Sequence, residues 1–312
     1  MKSHVPSSTA ALVALGSLCV LREKSILWDP AVEPLLGGFL SNRTVPWKFR
    51  ALASFCQWKI FRLFLRKGMD VFIPGMFAHY VARKVFIEAQ VRADIHQGAR
   101  QIVVIAGGFD TLAVRLAREF PSLPVVEIDH PATQAAKRAA LEDLGQLPGN
   151  LTLVPADLEK TSLESSLTAG GVSQSVRTIY VLEGVLMYLT AENVVSLFRS
   201  LASHGDAKSD NSACVFTCMA PRTDGHIAFE GGQVTLVAAW LGMQKERFLW
   251  GLPSDRAAEF FAATGWTTEK FADAVDLART ANFGEHPHLH LAQGEYVVVA
   301  RRKHESPVTP PA

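Results

Sequence analysis

The rhythm of apolar and polar positions changes near residue 100. Through residue 97 the apolar residues cluster without strand alternation, which predicts helical and irregular chain. Asp29-Pro30 and Gly37-Gly38 punctuate it, and a long helix-like stretch opens after Val45-Pro46. From Gln101 onward short apolar, β-branched runs recur: QIVVIA (101–106), PVVEID (124–129), LTLVPA (151–156), RTIYVLE (177–183), SACVFTCMA (212–220) and EYVVVARRK (295–303). Runs without alternation suit strands buried on both faces. Between them, Leu112, Leu116 and Phe120 recur at helical spacing. Pro131 suits the first turn of a helix ending near Leu144-Gly145, and Ala191 to Leu201 reads as another. This alternation predicts an α/β fold with a mainly parallel sheet and helices on both faces. An N-terminal helical lid region (1–97), a core over 98–304 with an insert near 221–250, and a disordered tail at 305–312 complete the expected organisation.

Composition narrows the picture. With 312 residues, 48% hydrophobic and 20% charged, the chain can bury a large core without staples. Thirty-one Lys and Arg against 30 Asp and Glu leave a formal charge of +1, so no global field draws the chain to nucleic acid. The apolar stretch from Ala10 to Leu21 is too short to span a membrane. It follows Lys2 as a signal peptide would, but Arg22-Glu23-Lys24 comes next without a small-residue cleavage pattern, so a cytoplasmic location is expected. Cys19, Cys56, Cys214 and Cys218 make no disulfide framework in a chain of this size, and Cys214 and Cys218 read as buried free thiols.

In open α/β sheets ligands bind beyond the carboxyl ends of the strands, where strand order reverses. That directs attention to Ala106-Gly107-Gly108-Phe109-Asp110-Thr111, Asp129, Asp157-Leu158 and Glu183, which all end or follow strand-like runs. Gly107 and Gly108 allow close backbone approach to a ligand, or simply a tight turn capped by Asp110 or Thr111. The full G-x-G-x-x-G fingerprint is absent, which weakens a nicotinamide reading. Asp129, about 20 residues on, suits a ribose diol or the start of a helix. Asp157 suits an adenine amino group or a solvated loop. Glu183 ends an apolar strand, where an unpaired carboxylate is costly; a cationic ligand group or a structural Lys or Arg would satisfy it.

The runs ARKVFIE (82–88), QIVVIAGGFDTLAVRLA (101–117), VVEIDHPATQAAK (125–137), ADLEK (156–160) and LEGVLMYLTAENV (182–194) resemble the leucine carboxyl methyltransferase family, as do the Trp28-Asp29-Pro30 element and GLPSDRAAEFFAATGW (251–266). The resemblance implies a Rossmann-like class I methyltransferase fold using S-adenosyl-L-methionine. It implies that Arg83 pairs with the cofactor carboxylate and that Gly107 and Gly108 lie in the cofactor loop. Asp129 would hold the ribose, Asp157 and Leu158 the adenine, and Glu183 the methionine ammonium. Two positions depart from the family pattern: Ala106 stands where the loop usually begins with Gly, and Ser17 or Leu18 stands where a basic residue is expected, with Arg22 and Lys24 nearby.

On the acceptor side, no acidic residue lies between Glu33 and Asp70, while Arg43, Lys48, Arg50, Lys59, Arg62, Arg66 and Lys67 interleave with Trp47, Phe49, Phe55, Trp58, Phe61 and Phe64. This pattern fits a positively charged, apolar lid for a small hydrophobic acid, a basic amphipathic helix on a membrane surface or partner, or a packed lid with a solvated basic face. His286, His288 and His290 alternate, but no full metal-ligand set accompanies them. His79 and His226 are candidate bases for a hydroxyl acceptor, and Tyr188 is a candidate for orienting an acceptor. The expected activity is O-methyl transfer to a small-molecule carboxylate, already ionised at neutral pH and so needing no base. A protein C-terminal carboxylate as acceptor, and a non-catalytic adenosyl-ligand-binding protein, are the alternatives.

Overall fold

The computed structural model describes residues 6–23, 28–205, 211–244, 246–283 and 290–303. The chain begins with helices α1 (Ser8–Leu21), α2 (Val32–Ser41), α3 (Trp47–Phe55), α4 (Lys59–Phe72) and α5 (Met76–His96). There follow β1 (Gln101–Ile105), α6 (Leu112–Glu119), β2 (Val125–Asp129), α7 (Pro131–Asp143), β3 (Leu151–Pro155), α8 (Leu163–Ala169), β4 (Thr178–Leu182), a short 3-10 turn (Leu186–Tyr188) and α9 (Ala191–Ser203). The last third comprises β5 (Ala213–Met219), α10 (Val234–Gln244), α11 (Ser254–Ala262), β6 (Trp266–Ala272), α12 (Ala274–Thr280) and β7 (Glu295–Arg302).

The strands form one sheet in the order β3-β2-β1-β4-β5-β7-β6. The first five run parallel, with Ile102 opposite Val125 on one side and Ile179 on the other, and β7 enters antiparallel between β5 and β6. Side-chain alternation sends Ile102, Val104, Val125, Ile179 and Val215 to one face, beneath α1, α2, α5, α6, α7 and α12. Val103, Ile105, Val126, Tyr180 and Phe216 point to the other, beneath α8, α9 and α11. Two covered faces explain why β1, β2 and β4 are buried at every position and read as mainly apolar, β-branched runs, Glu127 in β2 being the buried charge that Lys137 pairs. Strand β6 does not announce itself in this way. It is an edge strand whose middle residues are largely exposed; Trp266 and Ala272 are its buried anchors, so its sequence lacks the apolar run that marks the other strands.

Helix α5 packs on β4, β5 and β7 and belongs to the layer covering the sheet. The signal-like run is α1, a buried helix lying along α5, started by Ser7, whose Oγ accepts from the Ala10 N–H at 3.1 Å. Among the described residues no helix is long and apolar enough to cross a membrane. The Trp28-Asp29-Pro30 element is tied down by charge: Trp28 Nε1 donates to Glu88 at 2.9 Å, Arg115 bridges Glu88 and Asp29, and its guanidinium lies over the Trp28 ring. Cys214 and Cys218 are buried free thiols in β5, and the buried Cys19 and Cys56 sulfurs lie 2.9 Å apart between α1 and the end of α3. Lys24, His286, His288 and the tail at 305–312 lie outside the described residues.

Beneath the loop after β1 sits a fully buried ion pair, Lys137 Nζ on both Glu127 oxygens at 2.8 and 2.6 Å. Burial pushes Glu127 up to about 7 despite the opposing Lys137 charge. Lys137→Met should therefore cost roughly 3 kcal/mol or more by stranding the carboxylate, whereas Glu127→Leu/Lys137→Met should recover most of it. Folding of the single variant would be coupled to protonation of Glu127, so its deficit should widen as pH rises through neutrality. Urea midpoints across that range check both statements.

Candidate functional site

Strand order reverses between β1 and β4, and the ends of these strands open into a cavity of about 930 Å³. Its floor is the turn after β1. Ala106 and Gly108 both take positive φ, +57° and +54°. Glycine is required at the residue between them, because a Cβ on Gly107 would sit 2.8 Å from the Glu127 carboxyl carbon. The Gly108 and His130 N–H groups both donate to Asp129, at the end of β2. Burial raises the Asp129 pKa, and those two N–H groups work against it. Asp110 caps α6 by accepting from the Leu112 N–H at 2.6 Å.

One wall is a charge network between α5 and the strand ends. Arg83 donates from Nε and Nη2 to Glu183 Oε1 at 3.0 and 2.7 Å, and from Nη1 to Glu295 Oε2 at 2.7 Å. Lys84 bridges Glu183, at 2.8 Å, and Asp110. His79 Nε2 meets Glu295 at 2.7 Å in full burial. Burial acts to raise Glu295, but the Arg83 charge and the His79 hydrogen bond outweigh it and take the carboxyl down to about 2. For Asp110 burial is likewise outweighed, by Lys84, and its pKa falls. Glu183 thus has the structural Arg and Lys partners that sequence reasoning weighed against a ligand ammonium.

Arg83, Gly107, Gly108, Asp129, Glu183 and Tyr188 all line this one cavity. Asp157 and Leu158 do not: Asp157 pairs with Lys160 at 2.7 Å, Leu158 packs on the core beneath α8, and the neighbouring Glu159 reaches the wall instead. Ser17 lines the cavity with its buried Oγ unpartnered, whereas Arg22 pairs with Glu33 at 2.9 Å outside it. Lys84, which adjoins Arg83 on α5, also lines the cavity, a placement that no sequence motif marks. His79 serves Glu295 rather than the cavity, and His226 and His290 are exposed.

The far chamber is apolar, lined by Leu12, Phe49, Met76, Met187 and Trp240 among others. Two of its polar groups, Glu246 and Arg247, come from a segment no motif marks. Glu246, 8% exposed, accepts from Ser7 Oγ at 2.9 Å and from Thr9 Oγ1, and has no cationic partner among the described residues. Tyr188 stands close: burial raises its hydroxyl pKa, and the Glu246 charge adds to the shift. Lys48 and Arg247 also line the chamber and enter no ion pair among the described residues. The arrangement joins a rim of carboxylates, suited to a polar, partly cationic ligand, to a greasy chamber suited to a second one.

A family model for leucine carboxyl methyltransferase matches residues 9–202, more than half of the chain. The chain belongs to the leucine carboxyl methyltransferase family. A Bacillus subtilis protein named "Putative S-adenosyl-L-methionine-dependent methyltransferase YktD" is 37% identical over 125 residues, 40% of this chain and 41% of that protein. A Mycobacterium bovis protein with the same name, without the suffix, is 34% identical over 203 residues, 62% of this chain and 60% of that protein. The chain spans about half the length of the curated relatives it matches. Among solved structures, magnesium protoporphyrin IX methyltransferase from Synechocystis covers 72% of this chain and 85% of its own at 14% identity and a TM-score of 0.44, a likeness too partial to add to the assignment.

In this leucine carboxyl methyltransferase family member the Glu295 carboxyl has a linkage consequence. Its pKa falls from 4.5 to about 2 on folding, so its contribution is full above about 4.5 and lost as pH drops towards 2. The amount is roughly 3 kcal/mol. Glu295→Gln should lower stability near neutral pH and flatten the acid limb of the urea midpoint plotted against pH.

Proposed function

We propose that the chain is an S-adenosyl-L-methionine-dependent O-methyltransferase whose acceptor is a small, hydrophobic carboxylic acid. The observation that carries this reading is one cavity in which the strand-end carboxylates and two cations that enter no ion pair among the described residues, Lys48 and Arg247, face a shared space. Its volume stands at the upper end of the range for a drug-sized ligand, which leaves room for a nucleoside cofactor and a second molecule.

The residues at the strand ends fit the cofactor. Asp129 uses two of its roughly four lone-pair sites on backbone N–H groups, leaving capacity for a ribose diol. Gly107 and Gly108 let the turn pass close over Glu127 and beside Ala10 and so form the floor on which the adenosyl moiety lies. Arg83 and Lys84 carry the charge for the methionine carboxylate, and the unpartnered Ser17 Oγ adds a hydroxyl donor. Glu183 takes the ammonium, exchanging part of its present bonding to Arg83 and Lys84. When bound, the cofactor supplies an electrophilic methyl carbon on a sulfonium, which passes to an acceptor oxygen while the sulfur keeps the bonding pair.

With a carboxylate acceptor, the protein's part is alignment and exclusion of water: α1 and α10 cover the chamber, and Arg247 and Lys48 orient the acid. A hydroxyl acceptor is the second reading, favoured by Glu246. This buried carboxylate beside Tyr188, fixed by Ser7 and Thr9, is placed to take a proton.

Isothermal titration should show cofactor binding weakened at least about tenfold by Asp129→Ala, which removes the ribose acceptor. Steady-state kinetics then separates the two acceptors. For a carboxylate, Arg247→Gln raises the acceptor KM while Glu246→Gln leaves kcat within a few-fold. A fall in kcat of about a hundredfold or more in Glu246→Gln, with binding of both ligands intact, selects the hydroxyl.

A further inference from the structure

Helix α4 is apolar on two sides. Phe61, Leu65 and Met69 pack on the core, while Ile60, Phe64 and Val71 project into solvent, with Ile60 84% and Phe64 74% exposed. These three recur at helical spacing and share one face. Trp47, on the first turn of α3, is 78% exposed, and Trp58, just before α4, is 54% exposed. Arg43, Lys48, Arg50, Lys59 and Lys67 belong to the same stretch of chain and enter no ion pair among the described residues, and no acidic residue occurs between Glu33 and Asp70. The other arginines of the segment are engaged inward: Arg62 donates to the Cys56 and Gln57 carbonyls, and Arg66 pairs with Glu23.

The patch adjoins the cavity mouth. Phe72, ending α4, lines the cavity, and its carbonyl accepts from the Gln233 N–H at 2.8 Å, joining α4 to the turn before α10. Beyond that junction Leu236 and Met243 on α10 are also exposed. An exposed apolar surface of this extent marks an interaction site.

We propose that the α3–α4 face docks on an anionic phospholipid surface, with the cavity mouth turned to the lipid. Charge and side-chain chemistry select this occupant. Two copies of the chain meeting through this face would bring the same unpaired cations together, whereas anionic headgroups neutralise them. Exposed tryptophans flanked by lysines, with phenylalanine and isoleucine between, are suited to the headgroup boundary of a bilayer. A hydrophobic acceptor would then reach the chamber from the lipid phase. That consequence rests on the proposed acceptor class; the docking itself is measured without any methyl transfer.

The test is co-sedimentation of the full chain with phosphatidylcholine vesicles, with and without phosphatidylserine, together with tryptophan emission. The expected result is sedimentation with the phosphatidylserine vesicles, a blue shift lost in Trp47→Phe/Trp58→Phe, and release by salt. Ile60→Glu/Phe64→Glu and Lys59→Glu/Lys67→Glu lie outside the cavity and should each reduce binding at least about tenfold while cofactor titration is unchanged. Failure to sediment with either vesicle overturns the proposal, as does equal binding to both vesicles that these substitutions leave intact. A concentration-dependent dimer abolished by Ile60→Glu/Phe64→Glu, with no vesicle binding, assigns the face to a second copy instead.

Discussion

One wall of the site depends on a buried chain of charges running from His79 through Glu295, Arg83, Glu183 and Lys84 to Asp110. It links a helix, α5, to the end of β4, the start of β7 and the turn after β1. Isolated charges at this depth would be prohibitive. They are tolerated because each carboxylate meets at least one cation at hydrogen-bond distance, and because the planar Arg83 guanidinium serves two carboxylates at once. Removing one member strands its neighbours, so the network fixes where α5 lies against the strand ends. Since α1 lies along α5, the same network also places the roof of the cavity over its floor.

This arrangement reconciles two readings of Glu183 that the sequence leaves as alternatives. The carboxylate is structurally paired, and it also lines the cavity. A zwitterionic ligand entering there brings its own carboxylate and ammonium and can exchange partners with Arg83, Lys84 and Glu183 without leaving a charge uncompensated. Ala106 belongs to the same economy of local cost. A non-glycine residue at φ +57° is strained by roughly 1 kcal/mol or more, and it is maintained because its N–H donates to the Ile128 carbonyl at 2.7 Å, anchoring the turn to β2.

The strands covered on both faces are legible in the sequence because burial there leaves mostly apolar, β-branched residues, with the few polar ones paired, and the strand-end residues follow from them. Arg83 and Glu183, a hundred residues apart, meet because one stands on the covering helix and the other at a strand end. Elsewhere the signal fails for physical reasons. Edge position makes β6 polar. Lys84 sits beside an arginine on a helix, a context in which a solvated lysine has the same appearance, and only the meeting of α5 with Asp110 and Glu183 distinguishes it. Glu246 follows α10 in irregular chain, and its partners Ser7 and Thr9 stand at the opposite end of the sequence. Asp157 lies on a loop whose direction no periodicity sets, and it turns to Lys160.

The formal charge of +1 conceals strong segregation. Carboxylates gather at the strand ends, where Asp110, Asp129 and Glu183 line one end of the cavity, while unpaired lysines and arginines gather on α3, α4 and the chain just before α3. Charges interspersed over the surface would cancel within a screening length of about 8–10 Å. Within the cavity both signs occur together: Arg83 and Lys84 compensate Glu183 and Asp110 at the sheet, and Glu246 shares the rest of the lining with Lys48 and Arg247. The apolar side chains lining the rest of the cavity lower the local dielectric, so these charges act on a ligand more strongly than they would in open solvent. The polarity of the cavity therefore follows from how the chain distributes a nearly balanced set of charges, not from any excess of one sign.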